Sequence, residues 1–163
     1  MTGLELYTLV HVVLSLVGIG SGLIVLSGWL LRREWGGWTS RFLWTTVATS
    51  VTGFGFPVDR FMPSHGVGII SLIVLAVAIV ARRRHLAGAW RRIYVVTAVM
   101  ALYFNVFVLV VQLFRRVPSL NAMAPTQSEP PFQIAQLLVL ALFVVLGAAA
   151  AIRFRAVPSV RTL

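Results

Sequence analysis

The chain has no cysteine and no lysine, and only four carboxylate side chains among its 163 residues. Without cysteine there is no disulfide, no thiolate nucleophile, no thiolate-held iron–sulfur cluster and no thiol redox centre. Without lysine there is no Schiff base to retinal or pyridoxal phosphate and no lysine of the phosphate-loop kind. The chain also lacks an ordered Ser/His/Asp set, an H-E-x-x-H helix, a glycine-rich phosphate loop and a paired-carboxylate motif, so a non-catalytic role is expected. Long polar stretches are missing too. The longest connection, residues 115–131, is too short to bury a core of its own.

What fills the chain is apolar: 59% of its residues are hydrophobic, with a mean hydropathy of +0.93. Charge-free runs cover residues 6–31, 42–58, 61–81, 93–114 and 130–152. Each approaches or exceeds the roughly 17 to 25 residues a helix needs to cross about 30 Å of hydrocarbon. The predicted spans are 6–31, 42–58, 64–81, 93–114 and 131–152, giving an all-α integral membrane bundle of five transmembrane helices in a single domain over residues 1–163. The first stretch has no basic n-region and is far longer than the apolar segment of a cleaved leader, so it is expected to stay as a span.

Every basic residue apart from histidine is an arginine. Alternation across five spans puts Arg32, Arg33, Arg41, Arg82, Arg83, Arg84, Arg91, Arg92, Arg153, Arg155 and Arg161 on one side, and Arg60, Arg115 and Arg116 on the other. Short loops rich in arginine stay in the cytoplasm, which predicts the N-terminus out and the C-terminus in. Glu34 is then the only acid inside, with Glu5, Asp59 and Glu129 outside. The formal net charge of +10 is thereby explained by orientation and attraction to anionic lipid, and no nucleic-acid partner is expected. Trp29, Trp35, Trp38, Trp44 and Trp90 all fall near the predicted inner boundary, where an indole buries its ring and keeps its N–H among the headgroups.

The polar residues inside the spans carry the functional expectations. Gly18 and Gly22 have the G-x-x-x-G spacing that lets two backbones approach closely, either within the chain or as a homo-oligomer face. Helical spacing puts Thr45, Thr49 and Thr52 on one face, with Thr46 and Ser50 beside them; such hydroxyls bond their own i−4 carbonyl, bond a neighbouring helix or line a wet cavity. Gly53, Gly55 and Pro57 should break that helix. Asn105 lies near the middle of its span, with Gln112 on the same face, and an amide at that depth must point into the bundle to find a partner.

The remaining polar groups gather toward the predicted outer side. His11, His65, Asp59, Arg60, Gln112, Gln133 and Gln136, together with Asn105, Thr45, Thr49 and Thr52, are the candidates for a pocket that binds or passes a small molecule or ion. The stretch from residue 115 to residue 131, stiffened by Pro118, Pro125, Pro130 and Pro131, is the candidate lid. Two histidines on different helices also allow a b-type haem held by His11 and His65, or a metal held with Asp59 or Glu129. An accessory-subunit role in a larger membrane complex is a third alternative.

The segments GFGFPVDRFMPSHGVGIISL (residues 53–72) and APTQSEPPF (residues 124–132) resemble motifs of a family of small, uncharacterised multi-pass membrane proteins from Gram-negative bacteria. That resemblance implies a bacterial inner (cytoplasmic) membrane setting and supplies no activity. Size and layout are also similar to the tryptophan-rich sensory or translocator proteins, which bind porphyrins and sterols, but their W-N-P-P-type loop is absent.

Overall fold

The computed structural model describes residues 2–57 and 63–154. Within them are six helices and no strand: α1 (Gly3–Leu30), α2 (Gly36–Gly53), α3 (Pro63–Arg83), α4 (Trp90–Arg116), the short α5 (Pro118–Met123) and α6 (Pro130–Arg153). By length and composition α1, α3 over Ser64–Arg83, α4 and α6 are apolar enough to cross a membrane. α2 falls outside that set. It has 18 residues and carries Arg41 and a series of hydroxyls where the others carry aliphatic side chains.

Local chemistry sets the ends of α1. Thr2 and Glu5 form a reciprocal cap: the Thr2 hydroxyl accepts from the Glu5 N–H at 3.3 Å, and the Glu5 carboxylate accepts from the Thr2 N–H at 2.8 Å. At the other end the Arg33 N–H donates to the Gly28 carbonyl (2.8 Å) and the Arg32 N–H to that of Trp29 (3.1 Å), with Arg32 at φ 58°. This is a Schellman stop with arginine in the left-handed position where glycine usually sits. α2 begins at Gly36 and ends at Gly53, earlier at both ends than the span expected over 42–58, because Phe54 and Gly55 turn back onto the carbonyls of Val51 and Thr52 (3.1 Å each).

Neighbouring helices run antiparallel. The start of α1 meets the end of α2, where Tyr7 Oη donates to the Thr52 carbonyl at 2.6 Å. The end of α1 meets the start of α2, where Gly28 lies against Trp35. Ser50 donates to Ser71 at 3.2 Å between α2 and α3, and Val99 and Tyr103 of α4 face Gly147 and Phe143 of α6. The upper end of the bundle is therefore where α1, α3 and α6 begin and where α2 and α4 end. α2 traverses most of the height in between, about 27 Å at 1.5 Å per residue.

Gly18 and Gly22 serve this packing inside the chain. A Cβ on Gly18 would stand 3.3 Å from the Thr45 and Thr46 hydroxyls and 3.4 Å from Asn105 Nδ2. On Gly22 it would stand 2.6 Å from Leu102 and 2.9 Å from the Phe42 ring. The close approach is thus made by α1 with α2 and α4, and the G-x-x-x-G face is covered rather than offered to a second copy. Below it, Trp29, Tyr94 and Phe154 pack ring on ring with centroids 5.4 to 6.5 Å apart, and an Arg91 Nη1–H donates to the Phe154 carbonyl.

The outer surface is apolar. Leu137, Leu138, Val144, Val145 and Ile152 of α6 are 61 to 79% exposed, which suits a helix facing lipid rather than water. The chain is accordingly a multi-pass membrane protein. Two tryptophans depart from the expected boundary positions. Trp29 is 2% exposed and belongs to the core, because its indole fills the space between Tyr94 and Phe154; Trp44 is 73% exposed partway along α2, pointing away from the bundle. Trp38 and Trp90 have guanidinium groups over their rings, Arg41 at 4.9 Å and Arg84 at 5.7 Å.

Candidate functional site

In the upper half of the bundle α1, α2, α3 and α4 enclose a cavity of about 540 Å³. Its walls alternate polar and apolar groups. α1 contributes His11 and Ser15 with Val12 and Leu16, α2 contributes Thr49 and Ser50, α3 contributes His65 and Ser71, and α4 contributes Asn105 and Gln112 with Val108 and Leu109. Arg116 reaches the same space near the upper end. No described wall residue is a carboxylate and Arg116 keeps its charge, so the cavity's formal charge is positive.

Hydroxyl chemistry along α2 sorts its residues. Thr45 donates to the Arg41 carbonyl at 2.7 Å, and Thr52 to that of Ala48 at 2.7 Å, the usual back-bond that hides a hydroxyl in a helix. Thr46 accepts from Asn105 Nδ2 at 3.4 Å, and Ser50 pairs with Ser71. Thr49 does neither. Its side chain is 7% exposed, and its Oγ1 is buried without a hydrogen-bond partner, although it lies in the cavity wall. A buried donor left unpaired costs about 1 to 3 kcal/mol, a cost that a bound group or water removes.

His11 is oriented from α2. The Thr52 hydroxyl, which also reaches the Ala48 carbonyl, lies 2.8 Å from His11 Nδ1 and fixes the direction of the imidazole. Phe56 stands edge-on to the same imidazole at 5.1 Å. His65 stacks on Phe54 at 5.7 Å and 21°, and Gly68 leaves room for that phenylalanine, since a Cβ there would come within 3.0 Å of it. The two imidazoles therefore share a cavity, each packed against a phenylalanine from the end of α2.

Of the residues expected from the sequence, His11, His65, Asn105, Gln112 and Thr49 come together in this wall. Thr45 and Thr52 lie beside it with their hydroxyls turned to backbone, for the reason just given. Gln133 and Gln136 are elsewhere. Gln136 Nε2 donates to the Phe107 carbonyl at 3.2 Å in the α4–α6 seam, and Gln133 Nε2 to the Ser128 carbonyl at 2.7 Å. Asp59 and Arg60 lie outside the described residues. Ser15, Ser71 and Phe104 were not expected; the only sequence signal for Ser71 is that it is the sole hydroxyl in the middle of α3.

Of the lid expected over residues 115–131, only Arg116 reaches the cavity. Residues 117–129 line no part of it, because their hydrogen bonds hold them to α4 and α6: Asn121 Nδ2 donates to the Phe114 carbonyl at 3.2 Å and Gln127 Nε2 to that of Val111 at 3.0 Å. Glu129 ties off the start of α6, accepting from the Thr126 N–H (3.1 Å), the Thr126 hydroxyl (2.8 Å) and the Ser128 N–H (3.0 Å). Desolvation pushes its pKa up, but these hydrogen bonds outweigh it and hold the carboxyl below its usual range. Glu129 is thus committed to the loop and unavailable as a metal ligand in the cavity. Among the described residues no three His, Cys, Asp or Glu side chains converge as a metal site would require.

No family model, no curated protein and no solved structure matches the chain.

Proposed function

We propose that the protein is a non-catalytic five-span membrane protein, N-terminus out and C-terminus in, of the bacterial inner membrane, whose outer-facing cavity binds a small molecule. The observation that carries the binding role is the convergence of His11, Thr49, Ser71, Asn105 and Gln112 from four helices on one cavity of about 540 Å³. A concave, largely apolar site with a few converging polar groups is the usual form of a small-molecule site. Parity supports the count of five. If α1 crosses the bilayer and α3 starts beside the start of α1, the chain between them has to return, and α2 runs that height. The arginine asymmetry then sets the direction.

Cysteine labelling in intact cells tests the orientation: Ser119→Cys should react with an impermeant maleimide, and Ser40→Cys should not until the membrane is permeabilised. The reverse pattern would refute it. Ser15→Phe, which fills the cavity from a half-buried wall position, tests the binding role. Mass spectrometry of molecules that co-purify with the wild type should show a species lost in the folded variant. An unchanged profile would remove the role.

One observation keeps the haem alternative in view, namely that His11 and His65 line the same space. The purified protein is expected to show no Soret band. A band lost in His11→Ala would replace the small-molecule reading with haem binding.

A further inference from the structure

The cavity is bounded unevenly. In the lower half α1 and α4 touch through Gly22 and Leu102, and through Trp29 and Tyr94; the uppermost of these close contacts is Gly18 with Asn105. Above that level both helices instead present residues to the cavity, Val12, Ser15 and Leu16 from α1 against Leu109, Gln112 and Leu113 from α4. Four of these residues are also exposed: Val12 (44%), Leu16 (51%), Leu113 (41%) and Gln112. A residue that both lines a cavity and is exposed marks its rim, so the rim between α1 and α4 is polar at the upper end of α4, at Gln112 and Arg116, and aliphatic deeper, at Val12 and Leu16 of α1. Leu16 lies 13 residues below the first residue of α1, about 20 Å down a helix rising 1.5 Å per residue. That depth is within the hydrocarbon rather than among the headgroups.

Resting on the small-molecule reading above, we propose that the cavity is reached sideways from the bilayer, through the gap between the upper halves of α1 and α4. Its ligand is a lipid-soluble molecule whose head carries hydrogen-bond-accepting oxygens. The head points inward to Thr49 and Asn105, and the tail leaves between Val12, Leu16 and Leu113. A water-soluble ligand needs only the polar upper rim at Gln112 and Arg116, whereas the opening continues downward between aliphatic side chains at Val12 and Leu16, at hydrocarbon depth. A pure hydrocarbon would leave the deep wall unsatisfied. Thr49 Oγ1 is buried with an unused O–H, while Asn105 has given one N–H to Thr46 and has a second to give. The complement of two donors deep in an apolar cavity is an oxygen acceptor, found as a ring carbonyl in alkylated quinones and as a carboxylate in fatty acids.

Two experiments on the full chain, reconstituted in phosphatidylcholine–phosphatidylglycerol nanodiscs, test this. The first uses the absence of cysteine. A nitroxide attached at Ser15→Cys, on the cavity wall, should be relaxed strongly by oxygen and weakly by a water-soluble nickel chelate. Stronger relaxation by nickel would mean access from water, overturning the lateral route while leaving the binding reading intact. Weak relaxation by both would mean no open cavity, and both readings would fall.

The second compares binding of decylubiquinone, decanoate and decane to the wild type and to Thr49→Val, which keeps the side chain's shape and removes the hydroxyl. At least one oxygenated probe should bind better than decane, and the valine should weaken it about two- to twelvefold, the net value of one neutral hydrogen bond. Decane should be unaffected. Loss on the quinone alone would identify a carbonyl head, and loss on decanoate alone a carboxylate. Oxygenated probes that bind no better than decane, or that ignore the substitution, would overturn the assignment of the head.

Discussion

Replacing Gly22 with alanine adds one carbon at the point where three helices meet. On the present backbone that carbon would stand 2.6 Å from Leu102 Cδ1 and 2.9 Å from two atoms of the Phe42 ring, against an ordinary carbon–carbon contact of about 3.5 to 4.0 Å. Both neighbours are almost fully buried, so neither can swing aside without disturbing the core formed with Val25, Leu26 and Leu43. Overpacking of this kind costs about 1 to 3 kcal/mol. Alanine also favours the helical backbone by up to about 1 kcal/mol in water, which would mask part of the cost. Gly20 supplies the control: it lies on the same helix, is exposed, and has nothing within 4 Å of a built Cβ. Gly20→Ala carries the backbone term alone. The difference between the two variants, measured by reversible unfolding in mixed micelles, should be about 1 to 3 kcal/mol with Gly22→Ala the less stable. Equal stabilities would refute the packing argument. A change in oligomeric state with stability intact would show that the glycines serve a second copy after all.

Asn105→Leu should lose about 0.5 to 2 kcal/mol, nearer the lower end because its bond to Thr46 is long, and a stabilised variant in the same unfolding assay would contradict an inward-facing amide. Gly55→Ala should displace Tyr7, whose Oη would overlap the new carbon; hydrogen exchange at the start of α1 should rise, and an unchanged rate would rule out that contact. Glu129 has a lowered pKa, so its contribution to the 124–130 loop is fully present above the ordinary carboxylate pKa and is lost as pH falls through its own lower value. Loop proteolysis should therefore increase on acidification in the wild type and be insensitive to it in Glu129→Gln, and identical acid profiles would discount the cap.

The membrane class, the helical content and the breakpoints around Gly53, Gly55 and Pro57 were legible in the amino-acid order alone. Each depends on interactions between near neighbours or on the one-dimensional match between apolar length and bilayer thickness. Asn105 was readable as inward-facing for a similar reason, since an unpaired amide at mid-depth is costly whatever the helix order. Which glycine meets which neighbour, and which hydroxyl is free, depended on register. Thr45, Thr49 and Thr52 share one helical face, yet Thr45 and Thr52 back-bond while Thr49 alone of the three lines the cavity. Trp29 and Trp44 were indistinguishable by their place near an arginine-rich boundary; the core took one because Tyr94 and Phe154 frame a space for it, and the other was turned outward. Gln133 and Gln136 have the right depth for the site but lie across α4 from it, because depth follows from position along a helix whereas sharing a cavity requires the order of helices around the bundle. That order is set by side chains meeting across long sequence separations, as Gly22 meets Phe42 and Leu102, and only the folded chain brings those partners together.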